Sequence, residues 1–317
     1  AEMGRVLVTG AAGFAGSHLL DRLAASGEND LAAWRRPGGR PALPHRGVRW
    51  ADVELTDREQ VAAAMRAARP AVVYHCAGAA QVAGSWEDTA TPLEANALGT
   101  HHLLEAVRRE APEARVLVVG SALVYRPSPT PLREDDPLGP RTPYGISKLA
   151  QEMIARHAAA VDGLDVVVAR PFNHIGPRQA PTFAAASFAR QIAAAETGAG
   201  PRTIEVGNLD AARDLTDVRD IVRAYERLAA SGTRGRPYNV CRGRAFRMRE
   251  ILEGLLALAR VPIEVRVDPA RLRPADEPVL VGDPSRIAAE TGWTPEIPLE
   301  QSLRDLLDYW RQAIARV

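Results

Sequence analysis

The stretch RVLVTGAAGFAG occupies residues 5–16. Its first half is a short apolar run closed by a turn, the pattern of a buried strand. Its second half sets Gly10, Gly13 and Gly16 where the strand gives way to an amphipathic helical pattern. A dinucleotide site needs this arrangement. One glycine permits the tight turn, another lets a pyrophosphate approach the backbone, and a third lets helix and strand pack closely, with the helix N-terminus facing the phosphates. The spacing is GxxGxxG, not GxGxxG, so the flanking strand and helix carry part of the assignment.

Working outward, further buried strands are expected at 31–34 (LAAW), 48–53 (VRWADV), 71–78 (AVVYHCAG), 115–121 (RVLVVGS) and 164–171 (LDVVVARP). Helical patterns lie between them near 15–26, 57–68, 92–110 and 144–160. Strands alternating with helices predict an α/β fold, a doubly wound parallel sheet of Rossmann type that binds ligands at the carboxyl ends of its strands. Beyond residue 171 the alternation loosens into helices near 182–197, 217–231, 247–259 and 299–315 among loops rich in Gly, Pro and Arg. The expected division is a dinucleotide-binding domain over 1–171, rejoined by elements near 214–242, and a smaller interleaved C-terminal α/β substrate lobe over 172–317.

Composition narrows the function classes. A net charge of +1 in 317 residues gives no electrostatic case for nucleic acid or an acidic membrane. No apolar run approaches the roughly 20 residues of a membrane span. No basic-then-apolar leader pattern opens the chain. The two cysteines, Cys76 and Cys241, sit in apolar stretches and read as free buried thiols of a reducing compartment, so a cytoplasmic protein is expected. His75, His101, His102, His157 and His174 lack ligand spacing with a carboxylate or cysteine, and no metal site is expected.

The second strand ends at Trp34-Arg35-Arg36. An acid there would hold the ribose 2′-OH of NAD, whereas arginine suits the 2′-phosphate of NADP. NADP(H) is therefore the preferred cofactor, with NAD(H) possible. Asp52, at the end of the third strand, either meets the adenine or caps the following helix.

Lys148 is the single lysine among 40 basic residues. It stands four positions after Tyr144, and Thr142-Pro143 supply an N-cap and first position for a helix, so both side chains share one face. A tyrosine that exchanges protons near neutrality needs its anion stabilised. A compact ammonium with three rotating donors can do that and still bond ribose hydroxyls, where a planar guanidinium is aimed differently. Ser121, at the end of the fifth strand, can hydrogen-bond a substrate oxygen beside Tyr144.

Together these residues resemble the extended short-chain dehydrogenase/reductases over essentially the whole chain. The glycine turn, YHCAG (74–78), EANALGTHHLLEA (94–106), SALVY (121–125), YGISK (144–148) and RPFN (170–173) carry the resemblance. It implies a Ser121-Tyr144-Lys148 catalytic set, a nucleotide-sugar substrate held by the C-terminal lobe, and homodimers formed through two long helices per subunit. The cofactor contacts implied are Gly10, Gly13, Phe14, Ala15, Gly16, Trp34, Arg35, Arg36, Asp52, Val53, Ala77, Gly78, Asn96, Tyr144 and Lys148. RPFNHIGPRQ (170–179), VGNLDAARDLTDVRDIVRAY (206–225), LRPADEPVLVGDPSRI (272–287) and TGWTPEIPLEQSLRDLLDYWR (291–311) are closer to the GDP-mannose branch. By that resemblance Ser85, Ser121, Asn173, Arg178, Arg213, Arg273 and Asp276 would contact a GDP-sugar. Arginine forks suit a diphosphate and a carboxylate suits ribose hydroxyls.

Dehydratases of this branch carry an acid within two positions after the catalytic Ser/Thr. Ala122 and Leu123 stand there and cannot move a proton. Branch members that epimerise before reducing use a cysteine at the position of Leu123 and a histidine at that of Arg178, and both are absent. The expected activity is thus NAD(P)H-dependent reduction of the C4 ketone of a GDP-linked 4-keto-6-deoxy sugar, GDP-4-dehydro-6-deoxy-D-mannose, to GDP-D-rhamnose. The rival is a nucleotide-sugar 4-epimerase, and GDP-mannose 4,6-dehydration ranks below it. The usual VYG reads VYR here, with Arg126.

Overall fold

The computed structural model describes residues 5–27, 30–41, 45, 47–79, 84–271 and 279–315. Its first half alternates β1 (Val6–Thr9), α1 (Phe14–Ala25), β2 (Leu31–Arg35), β3 (Arg49–Asp52), α2 (Arg58–Ala68), β4 (Val72–His75), α3 (Ala90–Pro92), a π-helical stretch at Leu93–Leu98, α4 (Gly99–Glu110), β5 (Arg115–Val119), α5 (Pro143–Ala160) and β6 (Asp165–Pro171). The second half runs β7 (Asn173–Ile175), α6 (Ala184–Thr197), β8 (Thr203–Val206), β9 (Ala212–Asp217), α7 (Val218–Ser231), β10 (Pro237–Val240), β11 (Ala245–Arg247), α8 (Met248–Leu256), β12 (Glu264–Val267), β13 (Val279–Leu280), α9 (Ser285–Thr291) and α10 (Leu299–Ala315).

Seven parallel strands form the central sheet in the order β10-β6-β5-β4-β1-β2-β3. The order reverses between β1 and β4, whose register pairs Thr9 with His75. A crevice opens at that point above the carboxyl ends of the strands. Strands read as apolar runs because helices cover both faces. On one face Leu19, Leu20, Ile221, Tyr225, Leu228 and Ile287 bring α1, α7 and α9 against the sheet. On the other, Val61, Met65, Leu103, Val107, Ala155 and Ala158 seat α2, α4 and α5. β10 lies on the edge beside β6, so the chain returns to the sheet after β9 and α7.

The remaining elements build a smaller lobe. β9 pairs with β7, β11 and β13, and β8 pairs with β12. Phe188, Ile192, Leu255, Leu303, Leu306 and Leu307 of α6, α8 and α10 form its core.

Caps define the helices that carry the site. Thr142 accepts the Gly145 N–H at 2.9 Å and Pro143 follows at the first helical position, which starts α5. Asp57, not Asp52, caps α2, accepting from the Gln60 N–H at 3.0 Å. The fifth strand is shorter than expected: it ends at Val119, and Ser121 instead caps a single 3₁₀ turn at Ala122–Val124. The helix foreseen near 92–110 begins at Ala90 and contains the π-helical stretch. Among the described residues no helix is long and apolar enough to cross a membrane. Cys241 is buried and Cys76 half-buried, both as free thiols.

Candidate active site

The glycine turn has the shape a bound dinucleotide requires. Gly10 holds a left-handed φ of 65°, and a Cβ on it would lie 2.6 Å from the Ala77 backbone nitrogen. A Cβ on Gly16 would lie 2.3 Å from the Gly10 carbonyl oxygen. Only bare backbone fits, so β1, the turn and α1 approach as closely as a pyrophosphate site demands. Gly13 is the N-cap of α1 and contributes no side-chain cap. The first-turn N–H groups at Phe14, Ala15 and Gly16 therefore face the crevice as an anion cradle.

The end of β2 flanks this turn, with the Trp34 carbonyl accepting the Ala11 N–H at 3.1 Å. Trp34 itself is buried, Arg35 is half-buried and Arg36 is exposed. Arg35 Nε donates to Asp52 Oδ1 at 2.6 Å, and its guanidinium stands 5.6 Å from the centroid of Trp50. Asp52 thus holds Arg35 at the crevice mouth and does not cap a helix. The Val53 N–H is spent on the Arg35 carbonyl at 2.8 Å, and the Val53 side chain is buried.

On the other side of the crevice lie the tyrosine and the lysine. The Ser121 hydroxyl oxygen accepts the Leu123 N–H at 3.1 Å, and the hydroxyl is hydrogen-bonded to the Tyr144 phenol. Burial pushes the Tyr144 phenol up to about 12, and the bond from Ser121 opposes that rise. Lys148 Nζ is 6.0 Å from the Tyr144 ring centroid. It donates to the Val119 carbonyl at 3.1 Å and to Gln151 Oε1 at 2.9 Å. Burial brings its ammonium down to about 8. Ala77 and Gly78 form the wall opposite, and a Cβ on Gly78 would lie 3.5 Å from Nζ. A proton donor, a hydrogen-bonding hydroxyl and a cation converge here, as proton transfer to a developing alkoxide requires.

Two of the assigned side chains carry protein partners in the structure. Asn96 is fully buried and its amide is spent on the protein. Its Oδ1 accepts the Ala79 N–H at 3.0 Å, and its Nδ2 donates to Ser147 Oγ at 2.9 Å. Ser147 in turn donates to the Tyr144 carbonyl at 2.7 Å. Asn96 therefore clamps the loop after β4 to α5. Arg178, at a left-handed φ of 72°, turns back onto α1, where it pairs with Asp21 and donates to His18 Nδ1 at 2.8 Å. His18 is held down to about 4 by burial and by that guanidinium.

Asn173 is exposed at the start of β7. Arg213 is half-buried on β9 and donates to the Ala212 carbonyl at 2.9 Å. Ser85 is buried in a 3₁₀ turn at Gly84–Trp86. Arg273 and Asp276 lie outside the described residues. Gln151, one turn beyond Lys148, escaped the sequence reading. Its signal was only its position on the face of α5 that carries the lysine.

Residues 7–306 match the GDP-mannose 4,6 dehydratase family profile. The chain belongs to that family. It is 37% identical over 313 residues, covering 98% of both proteins, to the GDP-6-deoxy-D-mannose reductase of Pseudomonas aeruginosa strain PAO1. The structure of RMD from Pseudomonas aeruginosa complexed with NADPH superposes with a TM-score of 0.86 at 36% identity, covering 99% of this chain and 100% of that one. The UDP-glucose 4-epimerase of Thermus thermophilus in complex with NAD gives a TM-score of 0.88 at 32% identity, over 98% and 99% of the two chains. Within the dehydratase family, then, this chain shares its fold with reductases and epimerases alike, and the residues of the site must distinguish them.

Proposed function

We propose that this protein is an NAD(P)H-dependent 4-ketoreductase that converts GDP-4-dehydro-6-deoxy-D-mannose to GDP-6-deoxy-D-mannose. The observation that carries the reading is the Ser121–Tyr144–Lys148 set followed by Ala122 and Leu123. Proton donation to a ketone oxygen is provided for, and no carboxylate stands behind Ser121 to take a C5 proton. The likeness to a GDP-6-deoxy-D-mannose reductase over nearly the whole chain supports it.

The crevice suits NADPH. Gly10 and Gly16 leave a cradle that a Cβ would fill, the α1 N-terminus receives the pyrophosphate, and Arg35 and Arg36 suit a 2′-phosphate. The likeness to an NADPH complex agrees, and NADH remains the second choice. When bound, the reduced nicotinamide supplies the hydride for C4. Ser121 hydrogen-bonds the ketone oxygen. Tyr144 gives its phenolic proton to that oxygen as negative charge develops, and the Lys148 ammonium stabilises the phenolate left behind. Asn173, Arg213 and Ser85, with Arg273 and Asp276, are assigned to the GDP-sugar, and the lobe of α6, α8 and α10 to substrate binding.

Leu93, Leu98, Ile146, Met153 and Val161 are exposed apolar residues on the π-helical stretch and α5. A homodimer packed through these helices would cover them. Two unpaired cysteines suit a cytoplasmic location.

A second reading, a nucleotide-sugar 4-epimerase, has the epimerase superposition in its favour. The test is NADPH absorbance after adding freshly prepared GDP-4-dehydro-6-deoxy-D-mannose, with GDP-mannose alone in parallel. Stoichiometric oxidation with the ketosugar and none with GDP-mannose supports the reductase. No oxidation with the ketosugar rejects it.

A further inference from the structure

A lysine ammonium has three protons and no acceptor. Two of the Lys148 protons are spent on the Val119 carbonyl and Gln151 Oε1. That fixes the orientation of the Gln151 amide, and a chain of buried side chains runs on behind it. Because Gln151 presents its oxygen to Nζ, its Nε2 must face away, and it donates to Thr100 Oγ1 at 2.9 Å. Thr100 Oγ1 is also hydrogen-bonded to His75 Nε2 at 2.8 Å. His75 Nδ1 is hydrogen-bonded to Thr9 Oγ1 at 2.8 Å, so the ring meets a hydroxyl at each nitrogen. Thr9 Oγ1 also accepts the Ala77 N–H at 3.3 Å, at the wall of the crevice itself. Burial and the facing charge of Lys148 hold His75 down to about 3, so the ring is neutral. Thr9, His75, Thr100, Gln151 and Lys148 are all buried and come from β1, β4, α4 and α5.

We propose that Gln151, with Thr100, His75 and Thr9 behind it, is the positioning relay that fixes the direction of Lys148 and aims its third proton at the cofactor ribose. The lysine stem has four rotatable carbons and substantial rotamer freedom. A charge-assisted bond to an amide that is itself pinned removes that freedom before the cofactor arrives. The groups facing Nζ are His75 at the end of β4, Cys76 just after it, Tyr144 from α5, and the uncharged Asn96 from the stretch before α4. Among the described residues a change at Gln151 therefore meets no carboxylate that could mask it. The proposal rests on the reading of Lys148 as the residue that holds the ribose.

The experiment measures the NADPH dissociation constant by fluorescence across pH, without substrate, for five variants. Gln151→Leu is expected to weaken NADPH about tenfold, the loss of one charge-assisted hydrogen bond. It moves the pH above which binding is lost downward, because the ammonium has one acceptor fewer. Gln151→Glu sets a carboxylate against Nζ and moves that pH upward. Thr100→Val keeps the shape and removes the hydroxyl, and it shifts the profile in the direction of Gln151→Leu. Thr100→Ser restores the hydroxyl and the profile. A relay with no bearing on Lys148 would leave the midpoint of both Gln151 variants unmoved, or move both the same way, and either result overturns the proposal. Lys148→Met is the reference. If it binds NADPH like the unaltered protein, the reading of Lys148 fails. If it loses NADPH while the Gln151 and Thr100 variants match the unaltered protein, the relay alone fails.

Discussion

The Tyr144 ring and the Lys148 ammonium lie one turn apart on α5, with Nζ 6.0 Å from the ring centroid, and among the described residues no side chain of opposite charge stands between them to quench the cation. The pair is therefore poised to exchange a proton as soon as a substrate oxygen needs one. Tyr144→Phe keeps the ring and removes the proton. Turnover should fall about 10²–10⁴-fold, the usual range for a general acid. Unfolding temperature and NADPH affinity should stay close to those of the unaltered protein. Steady-state kinetics on the ketosugar checks this, and an active Tyr144→Phe enzyme refutes the role.

Lys148 makes activity and stability run in opposite directions with pH. Its folded value of about 8 lies below the ordinary 10.5. Between those two values the unfolded chain binds more protons than the folded one, so this group's contribution to stability rises with pH across the window. The ammonium needed beside Tyr144 is lost as pH rises through about 8. Reductase turnover should thus decline above that point. The difference in unfolding temperature between Lys148→Met and the unaltered protein should favour the variant at neutral pH and narrow toward 10.5. Calorimetry at several pH values reads it, and a widening difference would contradict the assignment.

Lys148→Arg tests why a single lysine persists among so many arginines. A guanidinium cannot sit between the Val119 carbonyl at 3.1 Å and Gln151 Oε1 at 2.9 Å without redirecting its fork. Turnover should fall by at least about 10²-fold with the charge intact. Near-normal turnover would show that charge alone suffices.

The parts of the site visible in the sequence are those fixed locally. Thr142 and Pro143 start α5, and helical spacing then puts Tyr144 and Lys148 on one face without help from the rest of the chain. The glycine turn was legible for the same reason. Partners that come from distant segments were not legible. Arg178 meets Asp21 across 157 positions, and Asn96 meets Ser147 across 51. Nothing local distinguishes an arginine bound for a diphosphate from one bound for an aspartate. The short strands β7, β11 and β13 hold three residues or fewer, too few for a period to register, and pairing on β9 creates them.

Arg35 should govern cofactor choice. It is already tied to Asp52 at 2.6 Å, so its position is set before a 2′-phosphate arrives. Replacing both arginines, Arg35→Ser with Arg36→Ser, removes two cations from the end of β2. NADPH binding should weaken about 10–100-fold, and NADH binding should change little. Fluorescence titration with both cofactors decides it, and equal losses for the two would place the arginines elsewhere in the binding of the dinucleotide.

Glu152, one turn past Lys148, anchors α5 to the sheet from beneath. Its carboxylate takes Arg170 Nε at 2.8 Å and Nη2 at 2.5 Å, with both side chains 1% exposed. Arg170 Nη1 also donates to the Tyr125 hydroxyl at 2.7 Å and the Glu134 carbonyl at 2.9 Å. Such a pair adds little net stability relative to an apolar pair, but removal of one member strands the other charge in the core. Glu152→Leu should cost about 3–5 kcal/mol in urea unfolding. The double change Glu152→Leu with Arg170→Met should recover much of that loss, because no charge remains unpaired. If the double variant is as unstable as the single one, the ion pair is not what fixes α5, and the Arg170 bonds to Tyr125 and Glu134 hold the helix in its place.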